Sequence, residues 1–244
     1  VQVLIDAKAC VNAVDRDLWM PLHHAACCED KATVEALVEA KAMLNVKDDK
    51  GMTPLQRALH HGYSAVAQVL IGAKANFDVG HERDGDLLLS AAACGDVRQI
   101  QTLIEDKAHV NVVDRVVEYA AVHVAALCGQ STAIKVLADA KADLDAATND
   151  EEQSSALHLA ARHNHTAAVK ALIDAKATVD ITNVKGHAPL LTATLANHVA
   201  TMQVLIDAKA DVNAIDSSLG TALIASAWNG YSAAARMLLD AKAN

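Results

Sequence analysis

Pairs of short amphipathic segments recur along the chain at a nearly constant spacing. Segment 48–75 contains one clear pair, which follows a polar, glycine-containing turn. Thr53 is placed to cap a first helix that has Pro54 at its first position, and Gly62 is placed to end it. Apolar residues continue at helical spacing through a second helix that begins at about Ser64. Because helices this short are marginal alone in water, each pair must bury its apolar face against neighbouring copies.

An Ala-Lys-Ala tripeptide, which is Asp-Lys-Ala at Lys107, closes each copy and fixes the period. Its lysine recurs at separations of 33, 33, 33, 34, 35, 33 and 33 residues, at Lys8, Lys41, Lys74, Lys107, Lys141, Lys176, Lys209 and Lys242. This regularity predicts a stacked, quasi-linear array. The two longer intervals place one extra residue near 115–118 and two near 149–153, in predicted turn tips. Such insertions often lie on a binding face, and the alternative is neutral drift at an exposed tip.

The repeat resembles the ankyrin repeat over essentially the whole chain. The family's Thr-Pro-Leu-His tetrapeptide appears as Met-Pro-Leu-His at residues 20–23 and as Thr-Pro-Leu-Gln at 53–56, with more degraded forms at 86–89, 120–123, 155–158, 188–191 and 221–224. Each copy also has a residue that ends the first helix: Glu29, Gly62, Gly95, Gly129, Asn164, Asn197 and Gly230. The resemblance implies an all-α solenoid of stacked helix-turn-helix units with projecting β-turn or hairpin tips. It also implies that the tips and first helices line a concave binding side, and that His23, His123 and His158 bond backbone groups near the turns.

We therefore assign residues 1–244 to one ankyrin-type array. It comprises a half repeat at 1–12 and seven units at approximately 13–45, 46–78, 79–111, 112–145, 146–180, 181–213 and 214–244. Since the chain begins and ends within the repeat, we expect it to be part of a longer protein.

The lysine of the tripeptide departs from the family pattern, which has glycine there. Glycine is favoured because the residue past a helix end commonly adopts a left-handed conformation. Either lysine accepts that conformation at roughly 1 kcal/mol of strain, or these helices end differently. Seven of the eight lysines follow an acid by two residues. Stacking would align these charges into rows, which suit an acidic partner or anionic lipid, or simply form a charge-balanced solvated edge.

Composition excludes several classes of function. Aromatic residues are only 2% of the chain while apolar residues are 52%, which suits closely packed helices with small side chains. A net charge of −9 argues against nucleic-acid binding. Five cysteines form no disulfide framework, so we expect reduced thiols in the cytoplasm, with the nucleus as an alternative. No apolar run approaches the roughly 20 residues that span a bilayer, so we expect no membrane span. We also expect an isolated array to be monomeric.

The two residues just before each first-helix terminator form what we call the stripe. By resemblance this stripe lines the concave face; it comprises 27–28, 60–61, 93–94, 127–128, 162–163, 195–196 and 228–229. Cys27, Cys28, His60 and His61 suggest zinc, but metal ligands must converge within about 2.3 Å of one point, whereas neighbouring helices lie about 8–10 Å apart. We therefore predict no metal and no cofactor.

The sequence contains no motif that completes a catalytic site. A cysteine nucleophile at Cys94 or Cys128 lacks an identifiable orienting group, and no phosphate loop or nucleophile elbow is present. We therefore expect no enzyme activity.

The leading hypothesis is a non-catalytic scaffold that binds a protein partner through its concave face and turn tips. Interface energy concentrates on aromatic and arginine anchors. The candidate contacts are Arg16, Trp19, Cys28, His60, His61, Arg83, Val116, Val117, Tyr119, Glu151, Arg162, His163 and Trp228. An acidic face at Asp143, Asp145, Asp150, Glu151 and Glu152 would suit a basic segment.

Two alternatives remain open at the sequence level. In the first, the array is the targeting or regulatory arm of a larger enzyme or channel rather than a scaffold. In the second, Trp228 packs on a following repeat rather than on a partner. The resemblance also makes Asn12, Asn45, Asn111 and Asn213 possible hydroxylation acceptors.

Overall fold

A computed structural model of the chain describes residues 1–78, 83–148, 152–218 and 220–243. Over these residues the chain forms fifteen α-helices and no extended sheet, which confirms the all-α repeat architecture. The helices are α1 (Gln2–Asp6), α2 (Pro21–Ala26), α3 (Lys31–Glu39), α4 (Pro54–His60), α5 (Ser64–Gly72), α6 (Arg83–Cys94), α7 (Val97–Glu105), α8 (Ala121–Leu127), α9 (Ser131–Asp139), α10 (Ala156–Arg162), α11 (Thr166–Asp174), α12 (Pro189–Leu195), α13 (Val199–Asp207), α14 (Ala222–Trp228) and α15 (Ser232–Asp240).

The helices stack in two rows. The first helices form an inner row, in which α2 packs on α4 and the series α6, α8, α10, α12 and α14 packs in order. The second helices form an outer row, in which α3 packs on α5 and the series α7, α9, α11, α13 and α15 packs in order. Leucine, valine and alanine side chains between the rows form one continuous core. The small inner-row residues allow this close approach.

The first helices begin as the tetrapeptide predicts. The hydroxyl of Thr53 accepts from the backbone N–H of Gln56 at 3.3 Å. In unit 13–45 the ring of His23 instead accepts from the backbone N–H of Met20 through Nδ1, at 3.1 Å. Its Nε2 then donates to the carbonyl of Val46, at 3.1 Å, in the next unit. His123 and His158 make the equivalent pairs of bonds, so these histidines join successive units as the resemblance implies.

The second helices end on the lysine of the tripeptide. All eight lysines have positive φ, between 60° and 73°. At Lys41 the backbone N–H donates to the carbonyl of Val38, and the N–H of Ala42 donates to that of Leu37, each at 3.0 Å. This is the Schellman arrangement, in which the left-handed residue lets the chain satisfy the last carbonyls. Of the two outcomes that the sequence left open, lysine accepts the left-handed conformation.

Five of the turn tips are closed by one acidic or amide side chain each. Asp48 accepts from the backbone N–H groups of Lys50 and Met52, and its own N–H donates to the carbonyl of Met52. Asp15, Asp114, Asn183 and Asp216 accept bonds from their own tips in the same way. Adjacent tips are also joined through the backbone, as between Asp49 N–H and the Asp17 carbonyl, at 3.2 Å.

Unit 79–111 departs from this plan. The degraded tetrapeptide at 86–89 predicts a first helix that begins after Asp86, but α6 begins at Arg83 and runs for 12 residues. Asp86 therefore does not cap α6; its carboxylate accepts from the backbone N–H of Phe77 at 2.6 Å. The pKa of this half-buried carboxyl is raised, chiefly by burial.

The stack is interrupted at this unit. In the described residues, α4 makes at most marginal contact with α6, and α5 with α7, whereas α6 packs on α5 and α8. The amide of Gln56 therefore reaches past unit 79–111 and donates to both carboxylate oxygens of Asp114, at 3.0 Å. The array thus has an N-terminal block, residues 1–78, and a C-terminal block, residues 83–243.

Candidate functional site

The stripe is exposed at both ends of the array, while in its middle Leu127 and Cys128 are buried and Cys94 is exposed. At the N-terminal end Cys28 and His61 are exposed, while His60 is half-buried with its ring edge-on to His61. In the middle the exposed fractions of Leu127 and Cys128 are 0% and 7%. Burial raises the pKa of the Cys128 thiol to about 12, so this thiol is inert as a nucleophile at neutral pH.

The C-terminal part of the stripe presents large side chains in three successive units. Arg162 is half-buried, Leu195 is 42% exposed and Trp228 is 89% exposed. A shallow pocket of about 240 Å³ lies between Arg162 and Leu195 and includes Thr192 and His187. Large apolar side chains are therefore open to solvent at α12 and α14, beside Arg162 of α10.

Charges beside this surface are paired within the array. Glu152 forms an ion pair with Arg162 and accepts from Lys185 Nζ at 2.8 Å. Asp145 accepts from the backbone N–H of Thr178 at 2.9 Å. Two members of the predicted acidic face thus already have partners in the array, while residues 149–151 lie outside the described residues.

The insertion in the tip of unit 112–145 is confirmed, but the prediction that Val117 and Tyr119 of this tip contact a partner is wrong for this conformation. In the regular tip of unit 46–78, the positive-φ residue Gly51 comes three positions after Asp48. In the tip of unit 112–145, the positive-φ residue Glu118 comes four positions after Asp114. Val117 and Tyr119 are only 3% and 1% exposed. They cannot contact a partner in this conformation.

The interruption of the stack explains why this tip is buried. Tyr119 lies against α4, with its hydroxyl 3.5 Å from the carbonyl of Leu59. Asp114, fully buried, accepts from the N–H groups of Val116 and Val117 as well as from Gln56. Val116 is half-buried against the core. The insertion therefore serves contact between the two blocks.

Trp19 is likewise engaged within the array. The guanidinium of Arg57 lies 4.6 Å from the centroid of its ring, and the ring of His24 lies 4.9 Å away. Arg57 is itself held by a buried ion pair with Asp48, at 2.5 Å. Trp19 thus joins units 13–45 and 46–78, a role that its position in a turn did not reveal.

The remaining predicted contacts are divided between exposed and undescribed residues. Arg16 is exposed at its tip. Arg83 is the first residue of α6, but its side chain and Glu151 lie outside the described residues. His163 is half-buried, and desolvation together with neighbouring positive charge lowers its pKa to about 4.

Three of the asparagines named as possible hydroxylation acceptors accept hydrogen bonds that join successive units. The side-chain oxygens of Asn12, Asn45 and Asn111 accept from backbone N–H groups 31, 31 and 32 residues further on. Asp145 and Asp180 make the same link between later units. These bonds tie the outer ends of successive units together.

The described residues contain no group of three His, Cys, Asp or Glu side chains placed to hold a metal ion. No helix in the described part of the chain is long and apolar enough to cross a membrane.

The fold and the stripe define a helical tandem-repeat protein with an open surface on its inner row. A family model for ankyrin repeats matches residues 1–82, 87–183 and 176–244, and the chain therefore belongs to the ankyrin repeat family. The unmatched residues 83–86 coincide with the atypical start of α6. No curated protein matches the chain. Ankyrin repeats generally mediate protein–protein interactions and are typically non-catalytic.

Proposed function

We propose that this array is a non-catalytic scaffold that binds a protein segment along the C-terminal part of the stripe. The observation that carries the proposal is the exposure of Leu195 and Trp228, at 42% and 89%. When a partner covers a solvated tryptophan, the burial of its apolar surface lowers the free energy of the complex. Tryptophan and arginine also commonly anchor interfaces. Arg162, in the unit before Leu195, extends this surface to a third unit.

The chemistry of the surface favours an apolar partner segment. Stacked helices lie about 8–10 Å apart, so the segment would present apolar side chains at that spacing. Arg162 and Lys185 already share an ion pair with the Glu152 carboxylate, so a strongly charged partner gains little there. Arg16, Cys28 and His61 are exposed at the other end of the array and stay candidates for a second contact.

The test is capture of partners on the immobilised array, with quantitative identification of the bound proteins. A Leu195→Asp/Trp228→Ala variant should lose the specifically captured partner at least tenfold, because it removes two apolar contacts. The matched control is Leu239→Ala, since Leu239 is 57% exposed in the outer row. Equal capture by all three proteins, with unchanged circular dichroism, would remove this surface as the partner site.

A further inference from the structure

The ends of α4 and α10 touch, although they belong to units three apart. A Cβ built on Gly62 would lie 2.4 Å from both Cε1 and Nε2 of His163, so only glycine admits the ring in this place. The other contacts of this kind join adjacent units: Gln130 lies against Gly95, and His165 against Gly129. In a straight stack, helices three units apart would be separated by about 25–30 Å. The inner row is therefore sharply bent between α4 and α10.

The bend encloses the buried part of the stripe. Leu127 and Cys128, at the end of α8, belong to a unit between those of Gly62 and His163. They are buried, whereas the equivalent Cys28, Cys94 and Trp228 in other units are exposed. Tyr119 on Leu59 and Gln56 on Asp114 hold the same two blocks together. The array's own α4 and the Gly62 that follows it thus reach Tyr119, just before α8, and His163, just after α10, on either side of Leu127 and Cys128 in the chain.

The outer row is open at the same place. A cleft of about 600 Å³ lies between the end of α5 and helices α6 and α7, with Ile71, Leu87 and Ala91 among its lining residues. Elsewhere consecutive outer helices pack directly, as α3 does on α5 and α7 on α9. Packing α5 on α7 in that way would close the cleft and draw Gly62 away from His163. The closed inner side and the open outer side are therefore two consequences of one bend.

We propose that the contact of His163 with Gly62 is an intramolecular latch that closes the middle of the stripe to a partner. Straightening of the array breaks the contact, packs α5 on α7 and adds Leu127 and Cys128 to the open surface at Leu195 and Trp228. This inference deepens the proposed function, on which it rests for the role of the stripe. The occupant of the closed site is the C-terminal end of α4 itself.

The latch is tested without any partner by the alkylation rate of Cys128, resolved by peptide mass spectrometry. In Gly62→Ala the added methyl group meets the His163 ring and should raise the Cys128 rate at least tenfold. The matched control is Gly230→Ala. Gly230 ends the first helix of the last unit with φ 71°, close to the 75° of Gly62, but nothing lies within 4 Å of its Cβ position. The control carries the same backbone strain and should leave the Cys128 rate unchanged.

Two further variants separate opening of the latch from general destabilisation. His163→Trp enlarges the ring and leaves the glycine intact, so it should expose Cys128 as Gly62→Ala does, and it carries the test if Gly62→Ala does not fold. His163→Ala removes the ring, and with it the contact, without adding bulk, so it should also raise the Cys128 rate above that of wild type. Protection of Cys128 in all three opening variants would overturn the latch, as would equal exposure in Gly230→Ala. None of these outcomes depends on whether Leu195 and Trp228 bind a partner.

Discussion

At the scale of single residues, the eight lysines are the clearest example of a local conflict that the fold tolerates. Each has positive φ, which strains a residue with a Cβ by roughly 1 kcal/mol. Two features offset that strain. The lysine charge lies at a helix C-terminus, where the macrodipole contributes about 0.3–1 kcal/mol. The alanine that follows is buried in several copies, as at Ala75 and Ala177, and so completes the helix end.

Replacing one of these lysines with glycine relieves the strain and should therefore be tolerated at least as well as replacing it with alanine. Lys209 has φ 69°, and Lys209→Gly should leave the free energy of unfolding within about 1 kcal/mol of wild type, because the lost charge and the added chain entropy offset the relief of strain. Urea denaturation measures the change. Lys209→Ala is the control, since alanine keeps the Cβ and loses the charge, and it should be no more stable than wild type. A glycine variant less stable than the alanine variant would contradict the strain argument.

His163 should make stability depend on pH. Its pKa falls from 6.5 in the unfolded chain to about 4 in the folded protein, chiefly through burial, with His165, Arg162 and His198 adding positive charge. The unfolded chain therefore binds more protons between pH 6.5 and pH 4, and acid removes stability over that window, by up to about 3 kcal/mol. Above pH 6.5 this contribution is constant.

The measurement compares urea unfolding of wild type and His163→Gln at several pH values. Other histidines titrate in both proteins, so the difference between the two curves isolates His163. The wild type should lose more stability than the variant from pH 6.5 to pH 4. Parallel curves would mean that His163 is not buried in the neutral form.

At the scale of elements, the sequence predicted regular units well because each one carries its own signals. Caps such as Thr53 and terminators such as Gly62 act within one helix, so helical spacing placed both helices of most units. The start of α6 could not be predicted in this way. It depends on Asp86 bonding to Phe77, a contact made only once the stack is interrupted. The burial of Tyr119 follows from the same interruption, so no local pattern signalled it.

Asp114 should tolerate substitution less well than Asp216, the equivalent tip residue of the last unit. It is fully buried and accepts from Gln56, from the backbone N–H of Asp78 and from its own tip. Asp114→Ala leaves these donors unsatisfied and should cost about 3–5 kcal/mol. Asp216 closes the last tip through Ser218 and Gly220, so the matched Asp216→Ala should cost only about 1 kcal/mol. Chemical denaturation decides between them, and equal losses would show that Asp114 does not join the two blocks.

At the scale of the whole molecule, the array consists of two blocks joined by an atypical interface. Repeat arrays are stabilised by nearest-neighbour contacts, so a weak interface can uncouple the parts on either side of it. Here α4 and α6, and likewise α5 and α7, make at most marginal contact. The two blocks are held instead by α5 on α6 and by the contacts at Asp114, Tyr119 and His163. The N-terminal block has only α1 to α5 with which to stabilise itself.

The N-terminal block should therefore unfold before the rest of the array. The chain has two tryptophans, and Trp19 lies in this block, packed near Arg57 and His24. In a Trp228→Phe background its fluorescence reports the N-terminal block alone, while far-ultraviolet circular dichroism reports all the helices. The fluorescence midpoint in urea should precede the main circular dichroism transition, and Asp114→Ala should widen the gap because it weakens the contact between the blocks. Coincident midpoints in both proteins would instead mean that the bend couples the blocks as tightly as a regular stack, so that straightening would require global unfolding.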